Sequence, residues 1–237
     1  MRCRLYLSTA ILWFNLLHAA EPLRTAQRHL EDCLPGAKAE FTFVEVVSGP
    51  EAIRDRINTA IRERLKQRPR GGIASSPEEC ARKFVGAYRD GAPWSLSKSV
   101  KVLRATPPVF TIEYSEWSYT GNARASLATE YLNFDAETGE IVKLCDLLAP
   151  DAVDRLTTLA ESRFRGERGL GAAADLRRAG FRFPSGRFTL PANYGLGESS
   201  IIFAYNIFEI APFAQGAATI EIPYAEICDL LKPGVAP

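Results

Sequence analysis

The 237-residue chain has almost no histidine or methionine: His18 and His29 are the only histidines, and the initiator is the only methionine. That scarcity excludes a multi-histidine metal centre. A Ser-His-Asp relay would have to use His29, which lies in a lead-in segment near the chain start and is a poor general base there. The sequence contains no Gly-x-Ser-x-Gly elbow, phosphate-cradling loop or dinucleotide fingerprint, and Gly195-Leu196-Gly197 is too short and wrongly placed to serve as one. Neither sign of charge dominates. Lys and Arg number 29 against 28 Asp and Glu, so nothing global argues for nucleic acid or an anionic lipid surface. Apolar runs of membrane-spanning length are also missing, since a span takes roughly 20 apolar residues.

The first residues break this pattern. Arg2 and Arg4 precede an apolar run from Leu5 to Leu17, which exits through Ala19-Ala20 into Glu21-Pro22. A basic start, a short apolar stretch and a small-residue exit describe a secretory signal peptide over residues 1–20. Its removal takes away both arginines and leaves 27 basic against 28 acidic side chains. It also takes Cys3 and leaves Cys33, Cys80, Cys145 and Cys228, an even set in an exported chain, which predicts disulfides. Their spacing is too wide for a zinc site built on Cys-x-x-Cys pairs. No metal or cofactor is implied.

Residues 21–37 read as a lead-in tied down by Cys33. Glu40–Val47 alternates as a strand, Ser48-Gly49-Pro50 breaks it, and Ile53, Ile57, Ala60, Ile61 and Leu65 recur at helical spacing over 51–68. Arg62, Arg64, Lys66, Arg68 and Arg70 crowd the end of that helix, where cations suit the dipole and a solvated face; a basic binding patch is the alternative. Ser76, Pro77 and Glu79 open a second helix reaching about Tyr88. Strands follow at 97–105, 109–119 and 126–135, then a hairpin loop at Asp135–Glu140 and a returning strand over Ile141–Cys145. Asp151 is placed to cap a helix carrying Val153, Leu156, Leu159, Ala160 and Phe164. Further strands are predicted at Phe188–Leu190, Ser200–Tyr205 and Ala217–Ile222, and a last helix from Pro223 to Leu231. Grouped strands and grouped helices predict an α+β fold: an antiparallel meander with helices on one face, in two small modules forming one compact unit. On that layout the preferred disulfides are one per half, Cys33–Cys80 and Cys145–Cys228.

Two stretches carry a family resemblance. Tyr131-Leu132-Asn133-Phe134-Asp135, Thr138-Gly139 and Leu144-Cys145-Asp146-Leu147-Leu148 form the first. The second is Tyr205-Asn206-Ile207-Phe208-Glu209-Ile210-Ala211-Pro212-Phe213-Ala214-Gln215-Gly216, followed by Ile220-Glu221-Ile222-Pro223-Tyr224 and Asp229-Leu230-Leu231. Together they resemble the bacterial extracytoplasmic DUF4163/DUF3298 domain family, over about residues 40–232 and most firmly after about 125. The resemblance implies a DUF4163-like module over 21–124 and a DUF3298-like module over 125–237. It also implies a non-catalytic binding role at the cell envelope, as in the ectodomain of a lysozyme-sensing anti-sigma factor or the accessory region of a peptidoglycan deacetylase. The chain departs from those settings: it has no membrane helix or cytoplasmic sigma-binding part and no appended deacetylase. Thr120–Ala125 stands where relatives often carry a Gly- and His-rich loop. Within the second stretch, Pro212 and Gly216 make a tight connection, Ile210 and Phe213 pack inward, and Glu209 caps backbone amides.

The candidate binding residues are Trp117, Tyr119, Asn122 and Arg124. Alternation sets Trp117 and Tyr119 on one face of a strand, either outward as a stacking surface or inward as core, and the loop with Asn122 and Arg124 adds a polar rim. The expected partner is a lysozyme-like protein or peptidoglycan, met in the periplasm or outside the cell, with no nucleic acid. A carboxylate-dependent hydrolase or deacetylase is an alternative, and it requires two of Glu113, Glu116, Glu130 and Glu209 in one pocket. A structural envelope assembly factor is another, and it requires a large exposed apolar patch.

Overall fold

The computed structural model describes residues 23–69, 71–121 and 124–236; the expected signal peptide, Arg70, Asn122 and Ala123 lie outside them. Among the described residues, no helix is long and apolar enough to cross a membrane.

Phe41, Val46, Ile57, Leu65, Ile112 and Phe134 share one apolar cluster, which draws a five-stranded sheet and two helices together. The strands are β1 (Thr25–Leu34), β2 (Ala37–Val46), β3 (Trp94–Arg104), β4 (Val109–Thr120) and β5 (Ser126–Asp135), in spatial order β1-β2-β3-β4-β5. The helices are α1 (Glu51–Lys66) and α2 (Pro77–Gly86). The fold is α+β as expected, and β3-β4-β5 form the antiparallel meander. β2 and β3 instead run parallel, because α1 and α2 carry the chain back over one face between them. The supposed lead-in holds β1, whose register against β2 runs from Thr25–Val46 to Leu34–Ala37. His29 therefore sits on a strand.

The buried side of α1 is Ile53, Ile57, Asn58, Ile61 and Leu65, matching the helical period. Asn58 Oδ1 accepts from Val46 N–H at 2.8 Å and Nδ2 donates to Val46 O at 2.9 Å, tying α1 to β2. Three of the basic residues at the end of α1 are engaged: Arg62 with Glu45, Arg64 with Glu130, and Lys66 with Glu63.

Ser76 Oγ accepts Glu79 N–H at 3.2 Å at the start of α2, and the Glu79 carboxylate accepts both Ser75 N–H and Ser75 Oγ–H. Those bonds, with Lys83 nearby, hold the Glu79 carboxyl down to about 2. A carboxyl depressed in the folded state adds stability above its unfolded value, and that stability is lost as pH falls through the folded value. Glu79→Gln is therefore expected to lower the melting temperature at neutral pH, with the gap to wild type closing between about pH 4.5 and about 2. Melts recorded across that range check it, and a pH-independent gap would contradict it.

The second layer holds α3 (Leu144–Leu147), α4 (Ala152–Glu167), β6 (Tyr194–Leu196), β7 (Ser200–Tyr205), β8 (Ala218–Pro223) and α5 (Tyr224–Ile227). β6-β7-β8 form an antiparallel sheet, and a second apolar cluster joins it to α4 through Leu156, Phe164, Leu196, Phe203 and Ile220. Phe164, fully buried, meets the rings of Phe181, Phe183, Phe188 and Tyr205 at 4.9–6.5 Å.

Several expectations are corrected here. Ile141 makes a single bridge to Phe134 and the chain then turns into α3, so the returning strand does not form. Phe188–Leu190 is not a strand; Phe188 is drawn into the aromatic cluster instead, and β6 forms between that segment and β7, where no strand is predicted. Asp151 does not cap α4. It takes a left-handed φ of 62° at the third position of the turn Ala149-Pro150-Asp151-Ala152, which Ala152 N–H closes onto Ala149 O at 3.2 Å. The final helix is α5 alone. The expected disulfides are absent: Cys33, Cys80, Cys145 and Cys228 are free. Cys80 is fully buried and turns its thiol onto Gln67 O, while Cys33 lies exposed on β1. Cys145, on α3, and Cys228, just past the end of α5, are both exposed, with the Cys145 sulfur 3.7 Å from Asp146 Oδ1.

Candidate functional site

β5 ends the five-stranded sheet, and an edge strand leaves backbone N–H and C=O groups in need of partners. Two asparagines from the second layer supply them. Asn193 Oδ1 accepts Tyr131 N–H at 2.9 Å and its Nδ2 donates to Thr129 O at 2.7 Å. Asn206 Oδ1 accepts Thr129 N–H at 2.7 Å and its Nδ2 donates to the same carbonyl at 3.0 Å. From β5 itself, Asn133 reaches the other way. Its Oδ1 accepts Thr111 Oγ1–H and Leu196 N–H, each at 3.0 Å, and its Nδ2 donates to Tyr194 O at 2.8 Å. Gly195 is required at this join, because a Cβ there would lie 2.7 Å from Tyr131 Cδ1 and 2.8 Å from its Cγ, close to the root of the side chain. Tyr131, packed against Gly195, has its hydroxyl pushed up to about 12 by burial and then by Glu113 and Glu221.

Past Asn206 the chain turns outward. Glu209 accepts Asn206 N–H at 2.8 Å, the capping role its sequence predicts. Phe208 takes a left-handed φ of 70° and is 64% exposed. That conformation costs an L-residue roughly 1–2 kcal/mol. The ring recovers little burial for it, touching Phe213 at 5.8 Å between centroids. Ile210 packs inward as expected, whereas Phe213 remains half-exposed beneath the Arg124 guanidinium, 4.7 Å from its ring centre. Arg124 leads directly into β5, where Leu127 stands opposite Trp117 on β4; these two are 43% and 39% exposed. Trp117 with Leu127 thus forms one surface group, and Arg124 with Phe213 and Phe208 a second, reached three residues back along the chain from Leu127; these five residues are the ledge at the β4–β5 end.

Of the predicted binding residues, Trp117 is outward, Tyr119 is half-buried opposite Ser95 on the same strand face, and Arg124 crosses onto Phe213. Asn122 lies outside the described residues. Leu127, Phe208 and Phe213 were not among them. The Pro- and Gly-bounded Tyr205–Gly216 run was the available signal, but sequence spacing does not show which of its rings face water.

The acidic residues divide. Glu113 lies on the face opposite Glu116, and Glu209 is exposed in its cap. Glu116 and Glu130 share a recess of about 260 Å³ with Gln67, Tyr114, Asn193 and Asn206. Each carboxylate is already partnered. Glu130 holds Arg64 by two bonds of 2.6 and 2.7 Å, which push the guanidinium above its ordinary value. Glu116 pairs with Lys98 Nζ at 3.3 Å and accepts Tyr114 Oη–H at 2.8 Å. Burial, then Glu116, pushes the Tyr114 hydroxyl far up. Lys98 is 1% exposed and also donates to the carbonyls of Leu65, Arg64 and Gln67, so an ammonium closes the C-terminal end of α1. Elsewhere His29, Glu31 and Glu40 lie within 4.8 Å of one another, but Lys38 Nζ sits 3.3 Å from Glu31 and 2.9 Å from Glu40, where a metal would go.

Fold and surface together define a two-layer α+β protein with an aromatic ledge at the seam of its sheets. Residues 145–225 match the family described as protein of unknown function (DUF3298), and that span contains Asn193, Gly195, Asn206, Phe208 and Phe213. Two solved structures share the fold. One is a DUF3298 family protein from Pseudomonas aeruginosa PAO1, at a TM-score of 0.71 and 21% identity, covering 92% of this chain and 98% of that one. The other is a DUF3298 family member from Bacteroides fragilis NCTC 9343, at 0.68 and 21%, covering 91% and 95%. No curated protein matches.

Proposed function

We propose that this is an exported, non-catalytic binding protein of the bacterial cell envelope that presents the ledge to peptidoglycan or to a lysozyme-like protein acting on it. On this reading residues up to 124 form a DUF4163-like module that carries Trp117 and Arg124 to the seam. The observation that carries the proposal is Phe208, a bulky residue held in a strained backbone conformation and left in water. Strain without burial marks a side chain kept for an external contact. Trp117 and Phe213 add stacking area and Arg124 a cationic rim, which suits sugar rings or the apolar centre of a protein interface.

The test is a titration of the mature protein against purified peptidoglycan and against lysozymes, repeated with Trp117→Ala and Phe208→Gly. Trp117→Ala is expected to weaken binding at least tenfold, the effect of losing about 1.4 kcal/mol or more from an aromatic anchor. Phe208→Gly should weaken it similarly yet leave stability within about 1 kcal/mol of wild type. Glycine adopts a positive φ freely, and that offsets its greater loss of chain entropy. Saturable binding to one ligand class identifies the partner. Binding to neither, or binding indifferent to both variants, refutes the proposal.

A second reading has one observation behind it: Glu116 and Glu130 share a recess, as a carboxylate hydrolase requires. Against it, both acids are held by cations, whereas a general acid needs a carboxyl free to carry and deliver a proton. Release of soluble fragments from peptidoglycan, abolished by Glu116→Gln, would establish it.

A further inference from the structure

The two edges of the five-stranded sheet are treated differently. β5 is closed by Asn193 and Asn206, whereas among the described residues no strand lies beyond β1 in the sheet order. Val47 N–H donates to Arg24 O at 2.8 Å, continuing the β1–β2 register by one pair. In an antiparallel ladder alternate residues bond to the neighbour. The even-numbered residues of β1 therefore bond toward β2. Thr25, Gln27, His29, Glu31 and Cys33 aim their N–H and C=O groups outward, and all five are exposed.

The centre of β1 reads Arg28-His29-Leu30-Glu31-Asp32: two basic residues, one apolar, two acidic. Reversed about Leu30, each basic side chain meets an acidic one. Antiparallel pairing of two copies centred on Leu30 sets Arg28 against Asp32 and His29 against Glu31 on both sides of the axis. It also makes the outward-facing His29 and Glu31 the hydrogen-bonded pairs, as the ladder requires. The neighbouring registers that the ladder permits lose this match. Centred on His29, Arg28 falls opposite Leu30 and histidine opposite histidine; centred on Glu31, glutamate meets glutamate. Within the chain Arg28 reaches Glu45 through Nε and is half-exposed, while Asp32 makes no ion pair among the described residues. Charges on an edge strand ordinarily prevent pairing, but this antisymmetric order repels other edges and favours its own copy. Leu34, 55% exposed, would be covered opposite Ala26.

We propose that the protein self-associates through β1, two copies joining their sheets across a twofold axis at Leu30. Sedimentation equilibrium of the mature protein over a wide concentration range tests it. Wild type is expected to show a monomer–dimer equilibrium. Arg28→Asp and Asp32→Arg should each weaken association at least about tenfold, since each turns two attractive cross-strand pairs into repulsive ones. Mixing the two variants should restore a heterodimer, because each reversed position then meets its opposite charge in the other chain. Circular dichroism confirms that both variants fold. If Arg28→Asp does not, Asp32→Arg disturbs no intrachain ion pair and tests the same contact. A wild type that stays monomeric, association indifferent to the reversals, or no recovery on mixing overturns the proposal.

Discussion

Lys98→Ala is expected to cost about 3–5 kcal/mol of folding stability, the usual loss when one partner of a buried ion pair is removed. The side chain is 1% exposed and answers two demands together. It neutralises Glu116, itself only 15% exposed, and it supplies a cation to the closing carbonyls of α1. Alanine leaves a carboxylate with Tyr114 as its remaining donor, carbonyls without a cap, and a void. Urea denaturation at neutral pH measures the loss, which corresponds to roughly 10 °C in melting temperature for a chain of this size. Lys98→Met fills the void without restoring the charge and should recover only about 1 kcal/mol. Adding Glu116→Gln to it should recover more, because the unpaired carboxylate is then gone. If Lys98→Met alone matches wild type, packing rather than charge accounts for the site.

Asn133→Leu is expected to cost about 2–4 kcal/mol despite nearly conserving volume. The amide is 3% exposed and serves three partners, Thr111 Oγ1, Leu196 N–H and Tyr194 O. Leucine satisfies none of them, and each buried backbone group left without a partner costs roughly 1–3 kcal/mol. Because those groups belong to β6, the loss should concentrate at the seam. Hydrogen exchange at Leu196 should accelerate far more than at Ile112 in the middle of β4. Uniform acceleration across both sheets would show that the seam does not open independently.

Strong periodicity made much of this fold legible. Ile53, Ile57, Ile61 and Leu65 announced α1, the Ser76-Pro77-Glu79 cap announced α2, and alternation along β3, β4 and β5 announced the meander. β1 was not legible, because a strand paired on one side with neither face fully buried has no alternation to show. β6 is three residues long and wholly buried, too short for any period. The parallel step from β2 to β3 depends on how two helices return the chain, which local pattern does not encode. Cysteine parity spoke for an oxidising compartment, yet burial sends the Cys80 thiol to Gln67 O rather than to another sulfur. In the site, Trp117 and Arg124 could be found from the strand and its loop. Phe208 could not, because its exposure follows from a left-handed turn that only the folded backbone reveals.

The closing of β5 by Asn193 and Asn206 also sets an order of events for the newborn chain. Synthesis runs from the N-terminus, so β5 is complete well before either asparagine has been made. While Ala136–Ala192 is being translated, roughly 3–11 s at about 5–20 residues per second, that strand is bare and able to zip onto any neighbouring chain. The nascent protein is at its stickiest in that interval, and a synonymous codon change that stalls the ribosome there would prolong it without altering a single residue.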